Sequence, residues 1–192
     1  MATTSKSTQF VQSRHVWAGK KNAPVSVVEF GDYESAECAE AHKVVKELLT
    51  ELDGVMRFNF RHFPLTRIHQ KSMKAAEAAV ASAQCGKFWE FHELLLENRK
   101  SLGVVSIKEY ARQAGIQDKR FLTNLVDGTF GWYVRNDLLE GLDKGVRDVP
   151  TFFINGVLFN QKIDHGSLRA AILEKYMEEI RKQEDEAGKE PE

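Results

Sequence analysis

Between Val25 and Leu52 a run of β-branched residues gives way, across a short turn, to a helical repeat. The run Val25-Ser26-Val27-Val28-Glu29-Phe30 reads as a buried strand. Gly31-Asp32-Tyr33-Glu34 is the turn. From Ser35 onward the apolar residues fall at Cys38, Ala41, Val44, Val45, Leu48, Leu49 and Leu52, the spacing of one buried helix face. Asp53-Gly54 supplies the stop, glycine taking the left-handed position. Ser35 and Cys38 are therefore expected on the first turn of a helix, just past the carboxyl end of a strand. That is where open α/β sheets build their sites.

The rest of the chain is read against this unit. Residues 1–13 are polar and expected to form a flexible arm, with a short edge strand over Arg14–Trp17. Met56, Phe58 and Phe60 alternate as a second strand, parallel to the first because a helix separates the two. Residues 66–145 carry no strand pattern. Helices are expected at Met73–Ala83, Phe88–Asn98, Ser106–Ala114, about Gln117–Val126 and Tyr133–Asp143, the third opened by a capping box at Ser106-x-x-Glu109. Strand pattern returns at Thr151–Ile154, followed by the hairpin signal Asn155-Gly156 and a partner strand at Val157–Phe159. Ser167 is expected to cap a last helix running to about Arg181, and residues 182–192 to be a disordered tail. The expected organisation is a core from residues 14–65 and 146–181, with residues 66–145 inserted.

Composition excludes more than it identifies. A formal net charge of −1 does not suggest a nucleic-acid partner. No stretch approaches the roughly 20 apolar residues of a membrane span. The polar start leads into no apolar run of signal-peptide length, so a cytoplasmic location is expected, or a periplasmic one if a leader has been removed. Two cysteines, Cys38 and Cys85, do not make a disulfide scaffold, and the six histidines show no zinc-ligand spacing, so no metal is expected. Nothing in the sequence indicates an oligomeric state.

Five segments together resemble the DsbA-like branch of the thioredoxin family, over about Ala23 to Ile180. They are Ala23-Pro24-Val25, Glu29-Phe30-x-Asp32-Tyr33, Arg61-His62-Phe63-Pro64-Leu65, Gly86-Lys87-Phe88-Trp89-Glu90-x-His92 and Val149-Pro150-Thr151-Phe152-Phe153-Ile154-Asn155-Gly156. The resemblance implies an α/β fold, a thioredoxin-like core with an all-helical insertion. The family places Cys-x-x-Cys where this chain has Ser35-Ala36-Glu37-Cys38. It also implies a cis bond between Val149 and Pro150, in a loop that faces the helix start and holds substrate through the backbone of Val149.

The candidate catalytic residues are Ser35, Cys38 and Glu29; the candidate substrate-binding residues are Val149, Pro150, Ala36 and Glu37. Ser35 is either a plain helix cap, worth about 1 kcal/mol, or a hydrogen-bond donor to a bound thiolate. Cys38 is either a small core residue or, by resemblance, the resolving thiol. The helix start favours its thiolate, and Glu34, Glu37 and Glu40 oppose it. Glu29 is either an edge-strand residue facing water or, by resemblance, the buried acid that moves protons for the second cysteine. Three functions remain open. One is a thiol–disulfide oxidoreductase or isomerase relative with weak or monothiol chemistry through Cys38. Another is a glutathione-dependent enzyme like the kappa-class transferases, with Arg147 as a weak cationic candidate. The third is a non-catalytic module that binds extended peptides. The expected partners are protein or peptide thiols and disulfides, or glutathione, with no tightly bound cofactor.

Overall fold

The computed structural model describes residues 10–187. After a 3-10 turn at Ser13–His15 come strands β1 (Trp17–Gly19) and β2 (Val25–Gly31), helix α1 (Ala36–Glu51) and strand β3 (Met56–His62). Five helices follow: α2 (Ser72–Ala83), α3 (Phe88–Glu97), α4 (Val104–Gln113), α5 (Arg120–Val126) and α6 (Gly131–Asp143). Strands β4 (Thr151–Ile154) and β5 (Val157–Phe159) and helix α7 (His165–Ala187) complete the chain.

The strands form one sheet in the order β1-β3-β2-β4-β5. β2 and β3 are parallel, joined by α1 as the crossover, and the other neighbours are antiparallel. The alternation of β2 buries Val25, Val27 and Glu29 toward α1, which packs between α3 and α7. On the other face α6 meets the sheet at Gly141, where any side chain would collide with the rings of Phe30 and Phe63. This is a thioredoxin-like mixed sheet with an all-helical insertion between β3 and β4.

Four details differ from the sequence reading. Arg14 lies in the 3-10 turn, and the edge strand begins at Trp17. Ser13, expected in the flexible arm, is buried, and its hydroxyl donates to Asp137; the arm's residues 1–9 lie outside the described residues. Helix α4 starts at Val104 behind an extended Gly103, so Ser106 falls inside it instead of capping it. Helix α7 begins at His165, with Asp164 accepting the Ser167 N–H, and runs to Ala187. Ion pairs one turn apart, Lys175–Glu178 and Lys182–Glu179, lie along this polar helix, and the second spans the expected end; residues 188–192 lie outside the described residues.

Candidate functional site at the start of helix α1

Glu29 sits in the central strand β2, opposite Phe60 of β3 and Phe152 of β4. It is 1% exposed, so it is not an edge residue facing water. Burial pushes its carboxyl up to about 8, only partly offset by a hydrogen bond with Cys38. One carboxyl oxygen, Oε1, has no partner.

Ser35 is the N-cap of α1, with extended backbone, and its Oγ accepts the Cys38 N–H at 3.1 Å. The same hydroxyl donates to Glu37 Oε2 at 3.0 Å. The Cys38 side chain is fully buried on the inner face of the helix, and its Sγ accepts the Asp32 N–H at 3.4 Å. Burial, then the nearby Glu29 carboxylate, push the thiol well above its ordinary range. The helix start alone does not overcome this, so the thiol stays protonated at neutral pH. Cys85 is also a free thiol, half-buried after α2, and burial raises it as well.

The turn that carries these groups is tied down by Asp32. Its carboxylate accepts from the Glu34 N–H at 2.8 Å and the Leu65 N–H at 2.7 Å, and pairs with His69 Nδ1 at 2.9 Å. His69 was not singled out from sequence; its only signal is its place just downstream of the Arg61–Leu65 segment.

The Val149–Pro150 peptide bond is cis. The Val149 N–H is taken by the side chain of its neighbour Asp148, at 2.8 Å. Pro150 borders an open groove of about 500 Å³ with Ala36, Glu37, Ala41 and Val44 of α1. Glu40, Ile163 and Asp164 complete its lining. The structure thus brings Ala36, Glu37 and Pro150 together on one groove. Ser35, Cys38, Glu29 and Val149 are not part of its lining, and Val149 adjoins it through Pro150. Glu40, Ile163 and Asp164 were not identified from sequence; residues 163 and 164 reach the site only through the tertiary approach of the loop before α7. Arg147 points elsewhere, donating to the carbonyls of Leu142 and Val146.

Deeper in the core, the Tyr33 hydroxyl meets His92 Nδ1 at 2.9 Å, and His92 Nε2 meets His42 Nδ1 at 3.4 Å. His62 is fully buried with both ring nitrogens unpaired. Burial holds His42 and His62 neutral, each lowered to about 4, and also pushes His92 well below its ordinary value. Among the described residues no group of histidine, cysteine or carboxylate side chains is arranged to hold a metal ion. No helix among them is long and apolar enough to cross a membrane.

A family model described as Thioredoxin matches residues 12–174. Over 173 residues the chain is 35% identical to the Na(+)/H(+) antiporter NhaA 3 of Salinispora tropica, covering 90% of this chain and 26% of that protein. The chain thus spans about a quarter of the length of the curated relatives it matches. Among solved structures, the thiol-disulfide exchange protein alpha-DsbA2 from Wolbachia pipientis superposes with a TM-score of 0.71 at 26% identity, covering 82% of this chain and 85% of that one. Oxidised BdbD from Bacillus subtilis gives 0.72 at 24% identity, covering 84% and 92%. A cytoplasmic location draws no support from these relatives.

Proposed function

The chain belongs to the thioredoxin family, in its DsbA-like branch, and we propose that it holds extended polypeptide there with at most weak, monothiol exchange through Cys38. Disulfide exchange starts when a thiolate attacks a disulfide sulfur, and it ends when a second thiol releases the mixed disulfide. Ser35 cannot take either part. The observation that carries the reading is that both ends of Ser35-x-x-Cys38 are closed. The hydroxyl is committed to the helix cap and to Glu37. The thiol is fully buried and held protonated. Such a thiol suits a second step that a first cysteine has prepared, and cannot begin one itself.

What stays open to a partner is the groove at Pro150, beside a helix start and a loop. An extended peptide bearing thiols or disulfides would pair its backbone with Val149 after displacing the Asp148 side chain. Glutathione fits less well. The groove is lined by the carboxylates of Glu37, Glu40 and Asp164, and Arg147 is turned away. An oxidising compartment such as the periplasm suits the reading, because disulfide-bearing chains persist there. The ion exchange of the antiporter relatives forms no part of it.

The test uses a Cys85→Ser background, insulin reduction and native-state alkylation. The protein should reduce insulin no faster than its Cys38→Ala variant, and Cys38 should resist alkylation until the chain is unfolded. Ser35→Cys should restore weak turnover, since the helix start, Glu29, Cys38 and the proline loop are all in place. Insulin reduction well above the Cys38→Ala level would overturn the reading.

A further inference from the structure

The groove beside Pro150 has two kinds of surface. Ala41, Val44, Pro150 and Ile163 give it an apolar floor. Glu37, Glu40 and Asp164 supply its charge, and no cation is part of the lining. We propose that this groove selects a cationic extended segment, with an apolar side chain seated on the floor and flanking lysines or arginines against Glu37, Glu40 and Asp164. The proposal rests on the peptide-holding reading above and adds the chemical class of the ligand.

Ser35 has a part in this selection. Its hydroxyl donates to Glu37 Oε2 at 3.0 Å, so the direct side-chain partner of the carboxylate at the groove mouth is neutral, and the nearby cations Arg99 and His69 act on it only at longer range. The backbone N–H of Glu37 and that same hydroxyl hold the Glu37 carboxyl below its usual range, and it is ionised at neutral pH. Residue 35 therefore orients an acid at the place where the family's Cys-x-x-Cys would have its first thiol. The other two carboxylates touch lysines, Glu40 with Lys43 at 2.7 Å and Asp164 with Lys162 at 3.4 Å. Both lysines are strongly exposed, 66% and 84%. Exposed pairs of this kind contribute little, so an incoming cation can replace them. An anionic ligand meets three carboxylates instead, and like charges brought together set specificity through repulsion.

Three labelled peptides with one shared apolar centre, flanked by Lys, Glu or Ser, test the proposal by fluorescence anisotropy on the full chain. The Lys-flanked peptide should bind about tenfold more tightly than the Glu-flanked one, the combined effect of a few exposed pairs gained or opposed. The preference should shrink as salt rises. It should vanish in a Glu37→Gln, Glu40→Gln, Asp164→Asn triple variant that still binds the Ser-flanked peptide. Ser35→Ala should reduce it partly, and Lys43→Ala with Lys162→Ala should increase it. Equal binding of the Lys and Glu peptides overturns the inference and leaves the peptide-holding reading standing. A preference that survives the triple variant also overturns the inference. Binding of none of the three peptides overturns the peptide-holding reading, and the inference falls with it.

Discussion

Arg61 and His62 are adjacent on β3 and bury polar groups on opposite faces of the same sheet, yet only one of the two side chains is paired. The Arg61 guanidinium donates to Asp137 at 2.7 Å and to Glu140 at 3.2 Å. Asp137 also accepts the His62 backbone N–H and the Ser13 hydroxyl. Strand, N-terminal segment and helix α6 are fastened by one satisfied network. On the other face the His62 ring has no hydrogen-bond partner, and neither do Glu29 Oε1 or His42 Nε2. Buried polar groups in folded proteins are normally paired, so the two faces do different work. The paired face joins the helical insertion to the sheet. The unpaired face lies behind Cys38 and keeps its groups neutral by desolvation.

The largest effect should come from breaking the paired face. Arg61→Ala leaves the carboxylate of Asp137 buried without its cation and should lower stability by about 3–5 kcal/mol. A urea unfolding curve measures this directly. Replacing both partners, Arg61→Met with Asp137→Leu, should recover only part of the loss, because the buried charge pair is gone but the His62 N–H and the Ser13 hydroxyl lose their acceptor. If Arg61→Ala changes stability by less than about 1 kcal/mol, the network is solvated like a surface pair and the contrast between the faces disappears.

The next effect belongs to the unpaired face and shows as a dependence on pH. Unfolded histidine binds a proton near pH 6.5, whereas folded His42 and His62 do so only near 4. Below 6.5 the unfolded chain takes up protons that the folded chain refuses, so stability falls as pH drops from 6.5 toward 4. Glu29 acts in the opposite sense. Its folded carboxyl keeps a proton up to about 8, against an ordinary value of 4.5. Its contribution is complete below 4.5 and is lost as pH rises through 8. Each limb should be a few kcal/mol, at about 1.4 kcal/mol for every pH unit that separates the folded from the unfolded value. Unfolding midpoints between pH 4 and 9 should show both limbs. His62→Leu should flatten the acid limb and Glu29→Gln the alkaline one. Arg61→Ala should lower the whole curve and also soften the acid limb, because it removes a cation that holds His62 down and leaves the Asp137 carboxylate to raise it; the alkaline limb should keep its slope.

The sequence makes the frame of the molecule readable because the frame is periodic. The strand–turn–helix at Val25–Leu52, the alternation of Met56, Phe58 and Phe60, and the absence of strand pattern after Pro64 each reflect local geometry. Parity puts Glu29 on one face with Val25 and Val27, but that pattern alone leaves open whether the residue faces water, and the central place of β2 in the sheet decides it. The parts that escape a sequence reading are tertiary. Arg61 and Asp137 are 76 residues apart. His42, His62 and His92 come from α1, β3 and α3 and meet only through packing. Asp164 enters the groove from a loop with no motif of its own. Ser106 shows the limit of a local rule, because Gly103 ends the preceding loop in extended backbone and the helix starts before the capping box can act.

The smallest effect separates the two parts that Ser35 plays. As a cap, its Oγ satisfies the Cys38 N–H, one of the donors that a helix start leaves without a partner. Ser35→Ala removes that acceptor and should cost about 1 kcal/mol. Ser35→Asp keeps a side-chain oxygen at the cap and should restore most of the stability. It also replaces a hydroxyl donor with a carboxylate beside Glu37, so it should not restore whatever Glu37 does at the groove mouth. Stability and ligand preference should therefore part company between these two variants, which a thermal melt and the anisotropy assay read independently. Ser35→Ala should not alter the two pH limbs, because the groups that titrate there are Glu29 and the histidines, whereas Ser35→Asp adds a titrating carboxyl of its own. If Ser35→Ala is neutral in the melt, water replaces the hydroxyl at the helix start. The space around Ser35 is then more open than its 2% exposure shows, and a ligand could reach Cys38 after all.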